Sequence, residues 1–174
     1  NFRYLKNFLK IERVKKIDGL LADLGVSSHQ FDMPNRGFST RFDSELDMRM
    51  NIKSTFSAKE LVNEYSEESL AEIFYKYAEL KNSRRIAQKI VKGRYSASIK
   101  TTADLVSLIS DCSSPKYMNK FLARVFQAIR IEVNDEMSAL EDMLLSAVEL
   151  LKVDGRLVVL SYHSLEDRLV KNLM

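Results

Sequence analysis

The order of apolar and polar positions divides the chain into strand-like and helix-like stretches. Ile17 to Leu24 (IDGLLADL) and Arg156 to Ser161 (RLVVLS) are short, nearly continuous apolar runs that end in polar residues. Such runs predict strands buried on both faces of a parallel sheet. Between them the pattern turns helical. Ser57 and Glu60 have capping-box spacing at the start of one helix, and Leu70, Ile73, Phe74 and Tyr77 form the i, i+3, i+4, i+7 stripe of the next. Ile86, Ile90 and Val91 give a third helix its inward face, and Thr101 with Asp104 opens a fourth carrying Leu105, Leu108 and Ile109. After a connector, Ser113 to Asn119, the stretch Phe121 to Leu151 reads as helix in two pieces. Asn134 is available as the cap between them, and Gly155 is expected to end the second.

Strand, helices and strand in this order are the grammar of a doubly wound α/β domain with a helical insertion. The sheet domain is expected at 1–55 and 116–174, and the inserted all-helical domain at 56–115. Ser27 to Asn51 holds Pro34, Gly37 and many short polar residues without a sustained period. A connection of that length in a compact domain predicts a binding loop.

Composition narrows the class. At 174 residues and 45% hydrophobic content the chain buries one proper core. No apolar run approaches the roughly 18 residues of a membrane helix. Asn1 to Lys16 alternates charge with apolar residues instead of forming a signal-peptide core. The single cysteine, Cys112, cannot form an internal disulfide, and no Cys/His cluster has zinc-ligand spacing. These features predict a soluble cytoplasmic protein without a structural metal. A net charge of +3 says little about partners, but its distribution is uneven. Lys76, Lys81, Arg84, Arg85, Lys89, Lys92, Arg94 and Lys100 face one acid, Glu79, in that segment. The basic helix there is either a solvated face or a surface for phosphates.

In open α/β sheets the ligand lies outside the carboxyl ends of the strands, so Asp23 to Gln30 and Ser161 to Arg168 fall on one rim. Asp23 can accept hydrogen bonds from ribose hydroxyls or an amino group, or equally cap the element that follows. Imidazole chemistry gives His163 a general-base reading, but Ser164 and Asp167 have capping-box spacing, which gives it an equal reading as a plain residue ahead of a helix. His29 carries the same two readings. Arg36, Arg41 and Arg49 are available to phosphates, or to Asp32, Asp43 and Asp47 beside them. The five glycines make neither a dinucleotide-binding fingerprint nor a P-loop, and no nucleophile elbow is present.

Four blocks carry a resemblance. IDGLLADLGVSSHQFD, then RGFSTRFDSELDMRMN, then VFQAIRIEVNDEM, then GRLVVLSYHSLEDRLVK resemble, in order and over nearly the whole chain, the bacterial small-subunit rRNA cytosine-N4 methyltransferase family, which also occurs in mitochondria. The resemblance implies a class I, Rossmann-like methyltransferase sheet interrupted by a helical substrate-recognition domain. It implies S-adenosylmethionine as cofactor, contacted by Phe2, Asp23 and Gln30. It places Arg36 to Ser39 and Ser161 to Ser164 at the border of the cytosine pocket. It also implies a glycine-rich Gly-Gly-His-Ser turn ahead of Phe2, so the chain is expected to be part of a longer protein. Where relatives carry proline this chain has His29, and Ala78, Leu80 and Lys81 replace a Gly-x-Glu-Arg pattern.

The chemistry implied is methyl transfer to an exocyclic amine, with Asp23, Ser161 and His163 as candidate catalytic groups. Arg36, Arg84, Arg85, Lys89 and Lys92 are the candidate contacts to small-subunit ribosomal RNA, free or within a ribosomal subunit. The oligomeric state is left open between monomer and homodimer. Three rivals stand beside this reading. A non-catalytic RNA-binding factor would keep the fold; a nucleotide-dependent oxidoreductase explains none of the four blocks; a DNA amino-methyltransferase would show an Asn/Asp-Pro-Pro-Tyr motif, which is absent.

Overall fold

A computed structural model describes residues 1–27 and 33–174. In chain order, a 3-10 turn at Phe2–Tyr4 leads into α1 (Leu5–Ile11), followed by β1 (Ile17–Asp23). Next come α2 (Ala58–Glu64), α3 (Glu67–Lys76), α4 (Ser83–Ser96), α5 (Thr102–Ile109) and α6 (Met118–Asn134). The chain closes with α7 (Glu136–Leu150), β2 (Leu151–Leu160) and α8 (Ser164–Leu173). Two compact units result, one of Asn1–Gly25 with Asp135–Met174, the other of Val26–Asn134.

The first unit is built on a parallel pair. β1 and β2 run in register from Gly19 opposite Arg156 to Asp23 opposite Leu160. Ile17 lies opposite Leu151, so β2 carries extra residues in a bulge where Asp154 takes φ 65°. Gly155 belongs to this bulge and does not end a helix, since α7 already stops at Leu150. A Cβ at Gly155 would lie 2.9 Å from the Lys152 carbonyl oxygen and 3.2 Å from that of Asp18. Close approach of two backbones, and not helix termination, is what calls for glycine there.

Side chains alternate across the pair. Leu20, Ala22, Leu157 and Val159 pack with Leu140, Met143 and Leu144 of α7 and with Leu169, Val170 and Leu173 of α8. On the other face Leu21 is 67% exposed, Val158 48% and Leu160 47%. The apolar runs predicted burial on both faces; α7 and α8 pack on the face of Leu20 and Val159, and among the described residues Leu21, Val158 and Leu160 are exposed on the other.

Among its described residues the second unit's regular elements are helices and 3-10 turns, apart from a single antiparallel bridge between Glu45 and Thr101, and they follow a long irregular loop. Leu61, Leu70, Phe74, Ile86, Ile90, Leu105, Ile109 and Ile129 are fully buried in its core. The predicted capping boxes are present, Ser57 with Glu60 on α2 and Thr101 with Asp104 on α5. The α3 stripe also holds, with Leu70, Ile73 and Phe74 inside and Tyr77 packed against them. Asn134 departs from expectation: it ends α6, and Asp135, with φ 48°, takes the N-cap position of α7. The Asn134 amide instead holds the long loop. Its Nδ2 donates to the carbonyls of Met48 and Arg130 (both 2.8 Å), and its Oδ1 accepts from the Met50 N–H at 2.6 Å. Leu46 and Met48 of that loop are fully buried, so part of the loop is core.

Truncating Phe74 to alanine should lower the unfolding free energy by about 3–5 kcal/mol, read by urea denaturation. Leu21→Ala, on the open sheet face, should cost less than about 1 kcal/mol. Equal losses would contradict the burial of Phe74 and the exposure of Leu21.

Candidate functional site

The carboxyl ends of β1 and β2 bring four polar residues together. Asp23 ends β1 opposite Leu160 and is exposed on the open face. Tyr162 follows Leu160 by two residues, and its hydroxyl donates to Asp23 Oδ1 at 2.7 Å, a bond between groups 139 positions apart in sequence. That carboxylate, by accepting the hydrogen bond and by its charge, raises the Tyr162 pKa above its ordinary value, so the phenol remains a donor. Ser161 is exposed beside it.

His163 turns inward. Its Nδ1 accepts from the Glu166 N–H at 3.4 Å, while Glu166 Oε2 accepts from the backbone N–H groups of Tyr162 (2.8 Å) and His163 (3.4 Å). This is a capping box, and it uses His163 and Glu166 where the spacing of Ser164 and Asp167 predicted one. The His163 side chain is only 10% exposed, and its Nε2 lies 3.2 Å from Glu166 Oε1. The ring thus serves the start of α8. Burial works to raise the Glu166 pKa, but the bonds from His163 and the Tyr162 N–H outweigh it and the net shift is downward.

Glu136, His163 and Glu166 place potential ligand atoms within 4.8 Å of one another. Both carboxylates sit in the first turn of a helix, where exposed amide groups favour negative charge and disfavour an added cation. Capping accounts for His163 and Glu166.

Phe2 opens a 3-10 turn that its neighbour Arg3 anchors. Arg3 pairs with Asp135 at 2.6 Å and with Asp142 at 2.9 Å and donates to Ser138, which fixes the 3-10 turn on the start of α7. Glu136, next in sequence to Asp135, is the residue that approaches His163. Phe2 itself is 41% exposed. Gln30 and His29 lie outside the described residues.

In the second unit the candidate cations are mostly engaged. Arg36 donates to the Arg49 carbonyl, and its guanidinium lies 5.7 Å from the Phe38 ring centroid. Arg49 pairs with Asp47, as the default reading of the loop charges predicts. A Cβ at Gly37, where φ is 68°, would fall 2.5 Å from the Glu45 carbonyl oxygen, so this turn admits only glycine. On α4, Lys89 and Arg85 share Asp111 at 2.6 and 3.4 Å. Arg84 and Lys81 line a groove of about 700 Å³ with Glu67, Glu68 and Glu72. Lys92 is exposed.

Sequence reasoning held Tyr162 only as one member of the Ser161 to Ser164 block and gave Glu166 no role of its own. The signal for Tyr162 was its i+2 relation to Leu160, which puts it on the face of Asp23. Glu166 lies three residues after a histidine, and histidine is not a usual cap.

Because its folded pKa lies below the ordinary 4.5, Glu166 contributes stability above that value and loses it as pH falls through the folded pKa. Glu166→Gln should therefore cost about 1–2 kcal/mol at pH 7 in denaturant titrations, with the gap closing below pH 4.5. A gap that widened in acid would contradict this sign.

Comparison with known proteins agrees with the four-block pattern. The chain is 56% identical over 174 residues to a Bacteroides thetaiotaomicron protein named ribosomal RNA small subunit methyltransferase H. Proteins of the same name from Parabacteroides distasonis and Flavobacterium johnsoniae are 54% and 53% identical. All of this chain is covered in each case, but it spans only 57–58% of the length of those relatives. The model of the MraW methylase family matches residues 1–174, and the chain belongs to that family.

Proposed function

We propose that the protein is an S-adenosylmethionine-dependent methyltransferase acting on N4 of a cytosine in small-subunit ribosomal RNA, in the cytoplasm. In this reading β1 and β2 belong to a class I, Rossmann-like sheet, and 56–115 lies in an inserted helical substrate-recognition domain. The observation that carries it is the rim of two parallel strands presenting Asp23 on an open, partly apolar face, in a chain of this family.

The residues fit such a cofactor. Asp23 supplies an acceptor for hydroxyl or amino donors, and Leu21 and Leu160 give apolar surface on the same face. A carboxylate bordered by apolar side chains suits a nucleoside-like ligand. Asp23, with Phe2 and Gln30, would hold it. When bound, S-adenosylmethionine supplies a methyl group activated by a sulfonium.

A cytosine amine is a weak nucleophile because its lone pair is delocalised into the ring. Asp23 and Ser161 are the acceptors on this rim that can draw on the amine hydrogens and so make the lone pair available. Much of the acceleration comes from holding the partners at attack distance. His163 is committed to the α8 cap and is assigned no proton transfer. The base must be unpaired to enter, so the target lies in a single-stranded or flipped-out position. Of the α4 cations, Lys92 is best placed to hold the RNA backbone, while Asp111 already offsets Arg85 and Lys89. Arg84 works against three nearby glutamates, and Arg36 is occupied within its loop.

The full-length protein, incubated with labelled S-adenosylmethionine and small subunits from a strain lacking the gene, should place label on N4 of one cytosine. Asp23→Ala should weaken cofactor binding tenfold or more, about 1.4 kcal/mol. Absence of label with the cofactor still bound would overturn the assignment. In RNA-binding titrations Lys92→Ala should lower the salt slope by about 1, and Lys89→Ala by less.

A further inference from the structure

We propose that Tyr162 is a positioning residue that fixes the Asp23 carboxylate for its ligand. The inference rests on the reading that Asp23 contacts the cofactor.

Asp23 is exposed at the end of a strand, so nothing in the packing alone sets the rotation of its carboxylate. Its two oxygens would otherwise exchange freely. The Tyr162 hydroxyl breaks that equivalence by donating to Oδ1 at 2.7 Å. One oxygen is then committed to the protein, and the other can accept from a ligand hydroxyl or amine in a fixed direction.

Tyr162 has its own anchors. The N–H of Tyr162 donates to Glu166 Oε2 at 2.8 Å, which ties this residue to the capping box of α8. Its ring lies over Gly25, where a Cβ would be 3.6 Å from Tyr162 Cδ2. Yet Tyr162 is 69% exposed, more than its neighbours' packing would require of a core residue. An exposed tyrosine whose hydroxyl meets the Asp23 carboxylate contributes little to the core and much to the orientation of that carboxylate. A phenylalanine would keep the ring over Gly25 and lose only the donor.

The test is calorimetric titration of S-adenosylmethionine into the full-length protein, with steady-state kinetics beside it, for Tyr162→Phe, Asp23→Ala and the double variant, each checked for folding by circular dichroism. The Kd should move with the KM. Tyr162→Phe should raise the KM for S-adenosylmethionine roughly two- to tenfold, the span expected for one hydrogen bond. This rise should exceed any change in kcat or in the KM for RNA, whereas a general loss of structure would move all three together. In the Asp23→Ala background the same change should add nothing. If Tyr162→Phe matches the wild type while Asp23→Ala raises the KM, the role of Tyr162 is overturned and that of Asp23 stands. If the tyrosine change has its full effect without Asp23, Tyr162 acts through a contact of its own and positioning is overturned. An unchanged KM in Asp23→Ala overturns the Asp23 reading and, with it, this one.

Discussion

Parallel pairing of β1 with β2 is the constraint on which the rest of the rim depends. Parallel strands need a long crossover, and here the whole of Val26–Asn134 lies between them in sequence. The register sets which residues meet at the carboxyl ends. Because Asp23 lies opposite Leu160, alternation puts Asp23, Leu160 and Tyr162 on one face. A slip of one residue would send Tyr162 to the helix-covered side and leave Asp23 without its partner. The bulge at Asp154 and Gly155 absorbs the extra residues of β2 before that register begins.

Electrostatics at the same end follows from helix termini more than from catalysis. Glu136 and Glu166 occupy first turns of α7 and α8, and His163 closes the second cap with its ring. This keeps a histidine that invites a general-base role inside a structural one. At the carboxyl end of the open face Asp23 and Tyr162 remain exposed. On the other unit, Asp111 and the glutamates of α3 offset most of the charge that the sequence concentrates on α4.

Local patterns were legible in the sequence wherever the determining residues are close neighbours. Ser57 with Glu60, Thr101 with Asp104 and the Leu70 stripe need only three or four residues to declare a helix start or face. Reading failed where the reason is tertiary. Gly155 answers to the backbone of Asp18, Asn134 to the loop at Met48 and Met50, and Gly37 to Glu45. The helix at Leu5–Ile11 went unread although Leu5, Phe8 and Leu9 have i, i+3, i+4 spacing, because 7 residues give too short a stripe to stand out among the surrounding charges. Of the rim, Asp23 was visible as a polar residue ending an apolar run. Its partner was not, since only the strand register reveals which residue faces it.

Hydrogen–deuterium exchange of the full-length protein with and without S-adenosylmethionine tests the central claim most directly. The account predicts slower exchange on cofactor binding at the amides around Asp23 and Ser161 to His163, where the two strands end. Protection confined to other segments, with these amides unchanged, would contradict it.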